Sequence, residues 1–319
     1  MGKQKMTPLE WAYKHAGYLK AKKDELNKME VHEDIERYLE RWGASNFQAG
    51  HWTILKHISL AYCLTPFGVI LKSKGIKDTA YLDVFCGAGI SPLKADEKST
   101  LEWVVGSPII STRMTNYPFN KYYFNDNNKR SVQLAKGILD EWNRISPEKR
   151  VYEITQDDAN AAVCRLLPEI KDKYVFAFID PAGFQWNWIS MESLFEIKMF
   201  DILMNFQTRM VDRVNLDIIK SYFGPCADEV LNLDDCDEKL NAYINQIEEK
   251  GLSVTPIRIG KDKTNQYYYH MLHISRLDTY KGIINDIKKR IETFDGKSIE
   301  TIWRDLHGHV KQKSLPIEI

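Results

Sequence analysis

Between Thr79 and Gly89 the chain reads Thr-Ala-Tyr-Leu-Asp-Val-Phe-Cys-Gly-Ala-Gly, an apolar run that ends in an acid and passes into two glycines one residue apart. A strand that feeds such a turn lets the backbone approach a ligand closely, because a side chain at either glycine would fill that space. A dinucleotide fingerprint requires a third glycine three positions after the second, and that position is Pro92, preceded by Ser91. The turn is therefore not built for a pyrophosphate. An acid four residues before the first glycine suits a cationic, phosphate-free nucleoside, and S-adenosyl-L-methionine, whose amino-acid end carries an ammonium, is the expected cofactor. On this reading Asp83, Phe85, Gly87 and Gly89 are cofactor-binding residues.

The pattern then repeats. Lys121 to Asp126, Arg150 to Asp158 and Tyr174 to Pro181 are strand-like runs that close on acids, and Asp201 to Phe206 makes a fifth strand. Strands separated by helix-length segments predict a parallel sheet covered on both faces, with ligands beyond the carboxyl ends of its strands. Val254 to Ile259 and Gln266 to Ile274 read as two further strands around a turn. The expected fold is α/β: a Rossmann-like class I methyltransferase domain over 51–319, with a mainly parallel seven-stranded sheet and a C-terminal antiparallel hairpin. A helical extension over 1–50 and a helical insertion at about 209–250 complete it.

Four acids at successive strand ends are candidates for one crevice. Asp83 would orient the ligand's ammonium, through the Gly-rich loop or a water. Asp126 would accept hydrogen bonds from the ribose hydroxyls, as the acid after the second strand does in nucleotide folds. It lies farther from Asp83 than the usual separation of roughly 20 residues, so 91–120 must hold more than one crossover helix. Asp158 with Ala159 and Asn160 would meet the adenine amino group, Asp157 being the alternative; a helix N-cap is the competing role for each of these acids. On the helix before the first strand, Lys56 or His57 would contact the cofactor carboxylate, although a buried capping histidine is the simpler account of His57.

Asp180-Pro181-Ala182-Gly183-Phe184 is where the chemistry is expected, with Asp180, Pro181 and Phe184 as the catalytic set. A carboxylate and a turn of carbonyls at the pocket mouth hold an amine nucleophile, and a flanking aromatic stacks on a flat substrate. Methyl transfer needs little beyond alignment, since the sulfonium is already activated. Amino-methylating enzymes that act on bases usually read Asp/Asn-Pro-Pro-Tyr/Phe, and here Ala182-Gly183 intervene.

Taken together, these segments resemble the three-Cys-motif partner proteins, methyltransferase-like proteins of bacteria and archaea. The resemblance rests on Lys56-His57-Ile58, Leu82 to Gly89, Gly106-Ser107-Pro108, Phe124-Asn125-Asp126, Asp158-Ala159-Asn160, Phe178 to Gly183 and Asp201 to Phe206, within residues 50–310. Family members often carry Glu at the Asp126 position and alanine at Cys86, so the resemblance supports the ribose contact and gives the thiol no role. It implies the fold and the cofactor, and no substrate.

Composition narrows the class further. The 44 basic and 44 acidic residues balance, so no global charge draws the chain to nucleic acid. Five cysteines without a C-x-x-C pair argue for reduced thiols in a cytoplasm. No apolar run approaches ~18 residues, so no membrane partner is expected. The acids Asp234, Asp235, Asp237 and Glu238 have no histidine beside them and read as a helix start, so no metal is expected. Two functions fit: an S-adenosylmethionine-dependent methyltransferase acting on an amine or base nitrogen of a macromolecule, nucleic acid before protein, or a partner subunit that works in complex with another protein.

Overall fold

Each central strand run is buried along its whole length, which only a sheet covered on both faces allows. In the computed structural model, which describes residues 6–43, 49–93, 102–207, 215–261, 267–277 and 281–308, the elements follow in the order α1 (Pro8–Leu26), α2 (His32–Gly43), α3 (Trp52–Ser73), β1 (Thr79–Asp83), β2 (Ile90–Leu93), β3 (Glu102–Val105) and α4 (Ser107–Arg113). Next come β4 (Lys121–Asn125), α5 (Lys129–Ile145), β5 (Tyr152–Thr155), α6 (Ala159–Ile170), β6 (Tyr174–Ile179), α7 (Trp188–Phe195) and β7 (Met199–Phe206). The chain closes with α8 (Leu216–Phe223), α9 (Ala227–Val230), α10 (Cys236–Glu248), β8 (Ser253–Lys261), β9 (Tyr267–Ser275), α11 (Lys281–Ile291) and α12 (Gly296–Leu306).

Seven strands pair in the order β5-β4-β1-β6-β7-β9-β8. β5, β4, β1, β6 and β7 run parallel, and β9 enters antiparallel between β7 and β8. This is the Rossmann-like class I methyltransferase fold expected from the sequence. The order reverses between β1 and β6, so the crevice for a ligand opens beyond the carboxyl ends of those two strands.

Strict alternation sorts the strand residues into two cores. Tyr81, Phe176, Phe178, Leu203 and Met271 face a layer that contains α1, α3, α5, α11 and α12. Leu82, Ala177, Met204 and Leu272 face α6, α7 and the helices between β7 and β8. By the same alternation Asp83, Asp180, Asn205 and Tyr269 belong to the α3 side. The N-terminal extension joins this layer too: a Thr7/Glu10 capping box starts α1, and Trp11, Ala16 and Leu19 bury against it.

The long separation of Asp83 from Asp126 is filled by an antiparallel hairpin, β2 with β3, followed by α4. The hairpin returns the chain to the glycine turn, where the Gly106 N–H donates to the Gly89 carbonyl at 2.7 Å. A Cβ at Gly106 would lie 2.9 Å from the Gly89 carbonyl carbon, so glycine is required there by packing. Helix α3 is 22 residues long and apolar enough to cross a membrane by length and composition, yet most of it is buried inside the protein, as a core helix is.

Candidate functional site

Asp83 ends β1 and is completely buried. One carboxyl oxygen accepts the Phe85 N–H at 3.2 Å, and the other, Oδ2, has no partner. Burial pushes its acid strength down to a pKa of about 8, partly opposed by the Ser107 hydroxyl, with the charges of Asp180 and Asp126 adding to the rise. After it, Gly87 (φ +60°) and Gly89 (φ +77°) turn the chain through conformations that favour glycine. A Cβ at Gly87 would meet nothing within 4 Å, so the loop presents open space on that side. The turn is fastened to the neighbouring strand: the Cys86 N–H donates to the Asn125 carbonyl at 2.9 Å and the Gly87 N–H to Asp126 Oδ2 at 3.0 Å. Asp126 also accepts from the Asn128 N–H at 2.8 Å. Burial raises its pKa, and these two backbone donors offset part of the rise.

Asp158 has the N-cap role. Its carboxylate accepts from the Asn160 and Ala161 N–H groups at 2.9 and 3.1 Å and starts α6, leaving Ala159 buried in the first turn. Asp157 turns to the Asp158 N–H at 2.8 Å. The side chain that reaches toward the Asp180 segment is Asn160, which donates to the Gln185 carbonyl at 2.9 Å and accepts the Asn187 N–H at 3.1 Å. That double contact holds the segment after Asp180 against α6.

Asp180 stands one residue beyond β6, and both its oxygens are engaged. Lys56, from the first turns of α3, donates to Oδ2 at 2.6 Å, and the Asn205 amide donates to Oδ1 at 2.8 Å. The Lys56 ammonium also lies 5.9 Å from the centre of the Tyr269 ring. Pro181 presents its carbonyl to the Gln207 amide at 3.4 Å. Phe184 is half-buried with its ring edge-on to Tyr222, centroids 4.7 Å apart, and Phe85 meets Trp186 in the same manner at 6.1 Å. The charges of Asp180 and Asp126 thus both act on Asp83 across the strand ends, whereas Asp158 serves its helix.

No family model matches the chain, and no curated protein is similar to it in sequence. Solved structures resemble it in fold. Protein LPL1258 from Legionella pneumophila, of family model DUF519, superposes with a TM-score of 0.46 at 14% identity over 75% of this chain and 91% of that one. Trm1 from Pyrococcus horikoshii, solved with S-adenosyl-L-methionine, gives 0.35 at 15% identity over 68% of this chain and 55% of its own. Magnesium protoporphyrin IX methyltransferase from Synechocystis, also with its donor bound, gives 0.37 at 9% identity over 86% and 100%.

His57 makes no hydrogen bond to Asp83, Asp126 or Asp180. It is buried, its Nδ1 has no partner, and desolvation followed by the Lys56 charge holds it well below the usual imidazole range, the Val105 backbone opposing part of that. His273, on the terminal hairpin, pairs with the buried Asp201 at 3.1 Å, and Tyr174 donates to the same carboxylate at 2.9 Å. A cleft of about 1090 Å³ between α1, α3 and α11, lined by Trp11, Tyr18 and Tyr62, contains none of the candidate site residues. Sequence reasoning missed Asn205 and Tyr269. For Asn205 the signal was present: it is the last polar residue of an otherwise apolar buried strand end, at the parity that faces α3.

Proposed function

We propose that this protein is an S-adenosyl-L-methionine-dependent methyltransferase acting on an amine or base nitrogen of a macromolecule, nucleic acid before protein. One observation carries the reading: a buried carboxyl oxygen of Asp83 without a partner, at the foot of a glycine turn whose Gly87 faces open space. A buried polar atom left unpaired costs about 1–3 kcal/mol, and a cationic ligand end relieves it by drawing the carboxyl into its ionised form. The residues present fit the cofactor. Asp83 takes the ammonium, Asp126 keeps lone pairs for ribose hydroxyls, Gly87 and Gly89 admit the ligand to the backbone, and Phe85 flanks the turn. S-adenosylmethionine, when bound, supplies a methyl group already activated by its sulfonium.

The rest is alignment by the chain's own groups. Asp180 offers a carboxylate to the acceptor nitrogen, Asn205 fixes the orientation of that carboxylate, and Asn160 holds the segment carrying Pro181 and Phe184. Lys56 reads as the counter-charge of Asp180, in place of a cofactor-carboxylate contact. The second reading, a partner subunit that binds another protein, is favoured by that same pair, because Asp180 has both oxygens occupied by the protein itself.

Calorimetric titration with S-adenosylmethionine tests the first reading: saturable binding that weakens at least tenfold in Asp83→Asn is expected, and no binding at millimolar cofactor removes it. Labelled methyl transfer to total RNA, DNA and protein then separates enzyme from partner subunit. Asp180→Ala is expected to lose transfer while keeping cofactor affinity.

A further inference from the structure

Two more buried polar atoms beside Asp180 lack partners, and the proposed function leaves them unexplained. Asn205, 3% exposed on β7, commits its amide nitrogen to Asp180, which leaves its Oδ1 buried and unpaired. The orientation is fixed by chemistry, since the flipped amide would set its oxygen against a carboxylate oxygen. Tyr269, 5% exposed on β9, has a buried hydroxyl with no partner. Asn205 pairs with Met271, two residues along β9 from Tyr269, so both side chains rise from the same face of adjacent strands. Asp180 acts on Tyr269 electrostatically, and Lys56 lies against the tyrosine ring while it holds Asp180. The four side chains form one cluster.

We infer that Asn205 and Tyr269 bind the methyl acceptor and restrict it to the neutral exocyclic amine of a nucleobase with a ring-nitrogen acceptor beside it, as in adenine or cytosine. The inference rests on the methyltransferase reading. Its support is a match of donors to acceptors. A conjugated amino group has two N–H bonds, for which Asp180 and Asn205 Oδ1 supply acceptors; the adjacent ring nitrogen needs a donor, which the Tyr269 hydroxyl supplies. An alkylammonium fits badly. It brings three N–H bonds and a positive charge to a carboxylate that Lys56 already neutralises at 2.6 Å. Uracil lacks the amino group and would leave Asn205 Oδ1 unpaired, the kind of mismatch that discriminates strongly.

Titration of the full chain, saturated with S-adenosylhomocysteine, with adenosine, cytidine, uridine and n-butylamine decides the matter. Adenosine or cytidine is expected to bind at least tenfold more tightly than uridine and butylamine. Asn205→Leu and Tyr269→Phe should each weaken that nucleoside at least fivefold, with S-adenosylhomocysteine affinity unchanged within twofold as the sign of an intact fold. Equal binding of uridine or butylamine, indifference to both substitutions, or no nucleoside binding by a chain that holds S-adenosylhomocysteine overturns the subsite and leaves the methyltransferase reading standing. Failure to bind S-adenosylhomocysteine at all removes both.

Discussion

Asp83 shows how burial sets the acidity of one side chain and, on the proposed reading, its choice of ligand. Its pKa of about 8 means that below that pH the empty site holds a neutral carboxyl, and a cationic ligand must expel the proton to pair with it. Affinity for S-adenosylmethionine is therefore expected to rise with pH toward about pH 8 and to fall above it as the ligand's own α-ammonium loses its proton, with proton release in buffers of different ionisation enthalpy as the check. A pH-independent affinity between 6 and 8 would remove Asp83 from the site. The acid itself was legible in the sequence from its position at the end of an apolar run. Its orphaned oxygen was not, because partners depend on which chain segments fold over it.

At the scale of elements, the glycine turn and the inserted hairpin form one device. Gly87 needs a left-handed backbone, and Ala there is expected to cost about 1–2 kcal/mol while placing a methyl group in the space offered to ligand. Gly106→Ala acts differently: its methyl group would collide with the backbone of Gly89, displacing the turn from β3. Binding of S-adenosylmethionine by Gly106→Ala should weaken through that displacement of the turn. Full affinity in that variant would show that the hairpin does not brace the turn. The sequence required additional structure between 91 and 120, but a hairpin rather than a second helix followed from the pairing of β2 with β3, a contact between segments that periodicity does not report.

Across the whole molecule, buried titrating groups set the pH range of stability. Asp83 has a folded pKa above its unfolded value, so its contribution is complete below about pH 4 and is lost as the pH rises toward 8. His57 and His270 are buried and held below their unfolded values, His270 at about 4, so they stabilise above pH 6.5 and lose that contribution as the pH falls. Each group changes stability by about 1.4 kcal/mol per pH unit within its window. Among these three groups the acid alone titrates above pH 6.5 and the two histidines outweigh it below, so together they place a stability maximum near pH 6.5. Denaturant midpoints at half-unit pH steps check this, and Asp83→Asn should flatten the alkaline side.

The order of apolar runs, their length and the acids that end them sufficed to determine the parallel sheet, its antiparallel close and three of the acids at its carboxyl edge, because period-2 burial and turn chemistry are local properties. The same residues offered the N-cap as one of two roles for Asp158, but could not reveal that Lys56 joins Asp180, or that Asn205 and Tyr269 lie beside that pair. Those facts depend on strand register and on how α3 crosses the sheet. Contacts between residues more than a hundred positions apart are decided by packing alone.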